Sequence, residues 1–396
     1  MSTQNIIAVT AALLGLAGTQ AQATTVASTP VGVTEITIPG GGATSVIGIN
    51  LIETPPFVGR ASAVGASTVT VSGVDLTERL TIGRTYALLV TTGDNAGVNT
   101  LVTSWTANQI TVQEDMAALL TANEDSFQLQ VLPTVLEIFG TGGKTLVGGT
   151  AATADRVSVV NPLTGESLTL YYSTGGISGV GWRAIGKGNA SYDNTPVYFT
   201  DGLSITKKSA GDSGFELAGA VQTAPVSFPV AAGYSSVANV HVASSTLGNS
   251  GLYRSGEPLQ SLAGGSVTLA DQVLFDSNGD GLPETYFYST GGIAGVGWRR
   301  VGGGSTPQTD MPIPDGFAIK KRTGTAEIQR QAPTTSSTTP LPKNAAASPA
   351  PPRSPRKTAT NSNKPPPRST QKSRNRPLST MYFTKKSPSL LRTRHA

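Results

Sequence analysis

The sequence has no cysteine, so no disulfide can staple the fold, and thiol nucleophiles, iron–sulfur clusters and thiolate zinc sites are excluded. It has two histidines, His241 and His395. So small and separated a set argues against a histidine zinc centre and leaves little general-base chemistry near neutral pH. Charged residues make up 13% of the chain, and helical periodicity is scarce. The best helical stretch, Asp115 to Ala122 (DMAALLTA), is too short to organise a core. No apolar run reaches transmembrane length, so the mature chain is expected to have no transmembrane segment.

Glycine (46 residues) and proline (26) are abundant instead, and short β-branched segments lie between turn signals. The most informative of these features is a phrase written twice. Tyr172 to Arg183 reads YSTGGISGVGWR and Tyr288 to Arg299 reads YSTGGIAGVGWR, with one difference, Ser178 against Ala294. Around it, Leu146–Arg183 aligns with Leu262–Arg299 without a gap at 19 identities in 38 positions. After a two-residue change of offset, Asp201 to Lys208 faces Asp315 to Arg322, so each copy closes with a turn, a short apolar strand and a basic pair. Upstream, Thr44–Leu51 loosely matches Ser235–Val242, an alternation suited to a strand. The intervening glycines, Gly175-Gly176 and Gly179-Val-Gly181, predict a turn with positive φ that returns the chain as a second strand near Trp182.

The expected fold is all-β: tandem β-sandwich or barrel-like units, an inserted small β-barrel domain and a disordered C-terminal tail. In order these are a signal peptide (1–23), the first strands of unit 1 (24–56), the inserted β domain (57–132), the remainder of unit 1 (133–223), unit 2 (224–329) and the tail (330–396). Five short segments mark the insertion, at 68–71, 86–90, 101–104, 109–112 and 127–131.

Export is expected from the apolar run Ile6–Ala17 followed by Ala21-Gln-Ala23, whose small residues fit a signal-peptidase site. The usual Lys or Arg before that run is missing, and a buried N-terminal segment is the competing reading. From Arg330 onward there are 14 Lys or Arg and no Asp or Glu, so a body of net −9 carries a tail of +14. The tail reads as electrostatic adhesion to anionic polymers, as a solvated extension, or as out-of-frame translation. For the body, no nucleic-acid partner is expected.

Asp276, Asn278, Asp280 and Glu284 stand at positions 1, 3, 5 and 9 of a glycine-containing loop, which is calcium-loop spacing. Position 12 is Phe287 rather than a bidentate Glu, and the competing reading is a polar hairpin turn. The 116-residue offset sets Val160, Pro162, Thr164 and Leu168 opposite those four, so the first copy keeps a turn, Asn161 to Glu166, without the acids. Calcium is therefore a candidate cofactor at the second copy. The repeated aromatics Tyr172, Trp182, Tyr288 and Trp298 are a candidate ligand platform for glycans, with core packing as the rival reading. In Leu168–Tyr172 and Glu284–Tyr288, alternation predicts that one aromatic of each adjacent pair is internal and the other partly exposed.

Two phrases imitate catalytic signatures. Gly211-Asp-Ser213-Gly214 resembles a serine-protease neighbourhood, but both histidines follow it and the upstream base is missing. Gly142-Gly143-Lys144-Thr145 resembles the end of a phosphate loop but lacks its first glycine, since that place is Ile138.

The repeat, written Ala-Asp-x-Val, Tyr-Ser-Thr-Gly-Gly, Gly-Trp-Arg, Asp-Gly-Leu/Phe-x-Ile, resembles a family of exported bacterial β-rich proteins over residues 30 to 330. The resemblance brings no established activity with it. The expectation is a secreted or cell-surface, non-enzymatic structural or adhesive protein with envelope polymers or glycans as partners. The alternative is a carbohydrate-binding module.

Overall fold

A computed structural model describes residues 31–142, 145–241, 245–257 and 260–330. The expected signal peptide and the tail from 331 onward lie outside the described residues. Arg330 does not. It ends a strand with 1% of its surface exposed, so the folded body runs one residue further than the sequence boundary at 329.

The chain enters through β1 (Val31–Ile38), β2 (Thr44–Ile47) and β3 (Leu51–Ile52). The insertion follows as β4 (Phe57–Arg60), β5 (Ala63–Val64), β6 (Thr68–Thr70), β7 (Thr85–Val90), β8 (Asn99–Trp105), β9 (Gln109–Val112) and β10 (Ser126–Leu132). These seven pair in the order β4-β10-β7-β8-β9-β6-β5, a curled half-barrel around Val69, Leu76, Leu88, Ile110, Phe127 and Leu129. All five expected segments are strands. The expected helix at 115–122 is not a helix: it is a turn in which Leu119 and Leu120 both bond back to the Met116 carbonyl. Met116 and Leu120 are drawn into the half-barrel core, and a stretch this short has too few turn bonds to hold its shape against that packing.

A five-residue helix, α1 (Val135–Phe139), comes next, held by a capping box between Thr134 and Glu137. Unit 1 resumes with β11 (Arg156–Val160), β12 (Ser167–Thr174), β13 (Val180–Ala184), β14 (Leu203–Thr206) and β15 (Ser213–Val221). Unit 2 consists of β16 (Val226–Ala238), β17 (Gln272–Phe275), β18 (Glu284–Thr290), β19 (Val296–Arg300) and β20 (Gly316–Arg330).

The two units share one antiparallel strand order, β13-β12-β11-β14-β2 in the first and β19-β18-β17-β20-β16 in the second. In unit 2, β16 and β20 form one long ribbon, bulged between Ala231 and Gly233. Unit 1 breaks the same ribbon into two pieces, β2 with β14 and β1 with β15. In both, the far end of the ribbon folds back over the sheet. Ile36 and Ile38 pack with Val157, Leu170 and Trp182; Phe228, Val230 and Ile328 pack with Val273, Tyr286 and Trp298. Each unit is thereby closed like a small sandwich by its own ribbon.

Register corrects the upstream alignment by one place. Leu203 pairs with Ile47, and its counterpart Phe317 pairs with Val237, so Thr44–Ile47 corresponds to Tyr234–Val237 rather than to Ser235–Ala238. The shift matters because a one-residue slip exchanges the faces of a strand; with it, Ile47 and Val237 both fall in their cores.

The units meet where these strands begin. A Cβ on Gly202 would lie 2.7 Å from the Val237 nitrogen, and one on Gly316 would lie 2.4 Å from the Ile47 carbonyl carbon. Corresponding residues thus touch each other's counterparts, a pseudo-two-fold contact. Leu89, Leu101 and Leu132 from the insertion, Phe199 from unit 1 and Val226 and Val240 from unit 2 share one further core at this junction.

Candidate functional site

The repeated phrase is a hairpin. β12 pairs with β13, and β18 with β19, each through a 3₁₀ turn at 176–178 or 292–294. Gly176, Gly179, Gly292 and Gly295 have φ between 68° and 74°, as the turn signals predicted. The arginine locks the turn. Arg183 donates from Nε to the Ser178 carbonyl (2.6 Å), from Nη1 to Trp182 (2.9 Å) and from Nη2 to Val180 (2.9 Å). Arg299 repeats this with Ala294 (2.6 Å), Trp298 (2.8 Å) and Val296 (3.0 Å). All acceptors are backbone carbonyls, which explains why the one differing position tolerates Ser or Ala. Satisfying the guanidinium this way lets both arginines be buried.

The locked turns hold their tips out in water. Ile177 is 95% exposed and Val180 62%; Ile293 is 103% exposed and Val296 64%. Sequence reading missed this, because an Ile between two glycine pairs gives no periodicity from which to assign a face.

The structure does not find a platform in the aromatics. Trp182 and Trp298 are 0% and 3% exposed, Tyr172 is buried, and Tyr288 is half-buried beneath a parallel stack with Tyr253 at 3.6 Å. Tyr172 and Trp182 meet edge-on at 5.7 Å, and Tyr288 and Trp298 at 5.8 Å, packing that belongs to the two cores. The split expected of neighbouring aromatics holds for Phe287 and Tyr288, buried and half-buried, but not for the corresponding Tyr171 and Tyr172 or for Tyr286 and Phe287, which are buried on both faces. The cross-strand neighbours of Tyr171 and Phe287 on the outer face are the buried Arg183 and Arg299.

The Asp276 loop satisfies itself. Asp276 accepts from the backbone N–H of Asn278, Gly279 and Gly281, and Asp280 accepts from Leu282 N–H and the Asn278 amide. Glu284 turns back to Ser277, whose hydroxyl and N–H it accepts, and faces Arg300 at 3.9 Å. These are Asx-turn bonds of a polar hairpin. Among the described residues, no three acidic or histidine side chains are grouped to hold a metal ion. In the first copy Asn161 closes the shorter turn to Glu166.

The repeated Ala-Asp is a tie. Asp155 accepts from the backbone of Val147, Lys208 and Ser209 and from the Ser209 hydroxyl. Burial works to raise its pKa, but these donors outweigh it and the carboxyl is held below its usual value. Asp271 accepts from the backbone of Ala263 and Arg322 and forms a 3.0 Å ion pair with the buried Lys321.

A second polar cluster lies at the end of β20. Arg330 donates to Asn239 Oδ1 (2.7 Å), Ser245 Oγ (2.6 Å) and the Ser250 carbonyl (3.2 Å), all neutral acceptors. His241 contacts the Gln222 carbonyl through Nδ1, while its Nε2 has no partner among the described residues. Burial, and then the Arg330 charge, lower its pKa to about 4, so near neutral pH the ring is uncharged.

Two clefts lie on the surface of the described residues. One of about 430 Å³ lies between the insertion and unit 1, where Arg84 is held by Glu53 and Glu137 and Arg79 stands exposed. The other, about 340 Å³, is lined by Arg156, Ser167, Thr169 and Lys187. Neither sets a nucleophile beside a base. The serine of the protease-like phrase lies in a strand rather than in the expected turn. Ser213 opens β15 opposite Ile38, and Gly211 serves as an acceptor for Lys207. Gly143 and Lys144 of the phosphate-loop phrase lie outside the described residues. Among the described residues no helix is long and apolar enough to cross a membrane. Against family models, curated proteins and solved structures alike, the chain has no match.

Proposed function

We propose that this chain is an exported, non-enzymatic structural or adhesive protein of the cell surface or extracellular space. The observation that carries the reading is the pair of locked hairpins, each presenting a nearly fully exposed Ile and a largely exposed Val. Fifteen large apolar side chains are exposed among the described residues; six stand at matching positions of the repeat, these four and Ile185 with Val301, and the four at the tips are the most exposed of the six. A tip held by a buried arginine loses little entropy on contact, and two tips on one chain add their weak contacts by avidity. Their partners are envelope polymers or glycans, met through the apolar faces of sugar rings or acyl groups. The calcium reading of Asp276, Asn278, Asp280 and Glu284 is not needed for this role.

Retention of the full chain on purified peptidoglycan tests the reading. Ile177→Ser and Ile293→Ser are each expected to weaken retention severalfold, and the double variant to abolish it. Unchanged retention in the double variant removes the adhesive role, and turnover in a screen of glycoside and peptide substrates sinks the non-enzymatic one. A secreted chain beginning at Thr24 is the expected result of N-terminal sequencing.

A further inference from the structure

β1 is an outer strand. It pairs with β15 along one side, and among the described residues no strand pairs with the other. Its sequence, VGVTEITI, contains no Lys and no Pro, and its single charge is Glu35. Val31 is 77% exposed and Val33 69%. Natural sheets guard such edges with charge, proline, bulges or a covering element, because a row of open N–H and C=O groups recruits another strand.

The counterpart in unit 2 shows what such an edge requires. The Val226–Ala231 half of β16 is also outermost in its sheet, but the insertion covers its start at Ser227 and a proline, Pro229, stands where the edge is exposed. Ser227 N–H donates to the Gly97 carbonyl at 2.8 Å, and the Asn99 amide donates to the Ser227 carbonyl at 2.6 Å. Val226 and Ser227 are consequently 0% and 4% exposed. The chain holds one insertion, and it serves one of the two edges.

We propose that the β1 edge is a self-association surface, on which a second copy of this chain lays its own β1 antiparallel across a two-fold axis. The strand is its own complement. Val31, Val33, Glu35 and Thr37 form one row on the exposed face, while Ile36 and Ile38 turn into the core. An antiparallel mate sets row against row and opposes each outward N–H to a carbonyl. Registers that place Val33 against Val33 or Glu35 keep the two acids apart, whereas Glu35 against Glu35 is disfavoured. The pairing is isologous, so it closes as a dimer and joins two three-stranded sheets into one. Eight residues span only about 27 Å, short of a standard interface, so the association is weak and depends on concentration. The inference is independent of the adhesive reading, since the hairpin tips take no part in it.

Sedimentation velocity of the full chain across the micromolar range is the test. Wild type is expected to pass from monomer to dimer. The double variant Val31→Asp/Val33→Asp opposes acid to acid in the 33–33, 33–35 and 35–35 registers alike, and Val31→Lys/Val33→Lys/Glu35→Lys opposes base to base in the same three. Each is expected to dimerise at least about tenfold more weakly, and an equimolar mixture to regain the dimer. A wild-type monomer at the highest concentration, a dimer that survives both variants, or a mixture that stays monomeric overturns the proposal. Should a variant fail to fold, exchange of the β1 amides in wild type decides. Protection that grows with concentration supports the second copy. Protection independent of concentration means that other residues of the same chain cover the edge, and overturns it.

Discussion

Units 1 and 2 keep the same strand order, the same arginine-locked hairpin and the same aspartate tie, yet they balance the charge of that tie differently. In unit 1 the donors to Asp155 are backbone groups and a serine hydroxyl, and the neighbouring Lys207, itself buried, donates to Ser209 and the Gly211 carbonyl. In unit 2 the corresponding lysine, Lys321, is paired directly with Asp271. The same lysine therefore sits among neutral acceptors in one copy and is half of a buried ion pair in the other. The difference arises in the ribbon. Unit 1 breaks it at 207–212, and the loop brings Ser209 to the carboxylate; unit 2 continues as one strand, β20, and the lysine stands where unit 1 has the serine.

The largest expected effect tests that contrast. Asp271→Asn leaves Lys321 buried without its counter-charge and should cost about 3–5 kcal/mol, whereas Asp155→Asn loses hydrogen bonds among neutral donors and should cost about 2 kcal/mol. The lysines sharpen the comparison from the other side: Lys321→Met should destabilise by several times as much as Lys207→Met. Urea unfolding of the four variants measures both differences. Equal costs within each pair would mean that the two ties are energetically the same despite their partners.

Next in size is an acid sensitivity belonging to unit 2. His241, held at about 4 by burial and Arg330, takes up a proton on unfolding near its ordinary value of about 6.5. Between those values the unfolded chain binds the proton and the folded chain does not. Stability is therefore lost as pH falls from about 6.5 toward 4, by at most about 3 kcal/mol. Asp155, with its depressed pKa, contributes stability that is lost only at lower pH, as the pH falls below about 4. Unfolding at pH 7, 5.5 and 4.5 should show a slope that His241→Gln largely removes. An unchanged slope would assign the acid sensitivity elsewhere.

A smaller effect should be equal in the two copies. Gly179 and Gly295 hold φ of 68° and 71°, and a Cβ on either would stand 3.2 Å from its arginine Nη2. Gly→Ala should cost about 1–2 kcal/mol at each, with melting temperatures that fall together. Unequal shifts would show that the locks differ despite their matching bonds.

How much of this was legible in the sequence follows from which forces act locally. The glycine hairpin, the insertion's strands and the all-β class were readable, because turn chemistry and period-two alternation are written residue by residue. The helix at 135–139 was missed although its capping box, Thr134-Val-Leu-Glu137, is a local signal; its five residues are too few to show a period. The burial of Trp182, Trp298 and Tyr171 was not decidable from alternation, because the ribbon that covers one face and the arginine that covers the other come from distant or non-periodic positions. Arg330 was assigned to the tail on composition alone, and only the fold reveals Asn239, Ser245 and Ser250 around it.

The smallest effect concerns the loops in which the units differ most. Asp276 fixes its hairpin through three backbone N–H groups, so Asp276→Ala should cost about 1 kcal/mol, and Asn161→Ala in the shorter turn of unit 1 no more than that. Because Asp276 spends most of its acceptor sites on backbone donors and Glu284 turns to Ser277, few oxygens are left to converge on a cation. Millimolar calcium is therefore expected to leave the melting temperature of wild type and Asp280→Ala alike. A calcium-dependent rise in wild type that Asp280→Ala abolishes would show that the loop rearranges around the ion, and would turn the difference between the two hairpins from one of turn geometry into one of function.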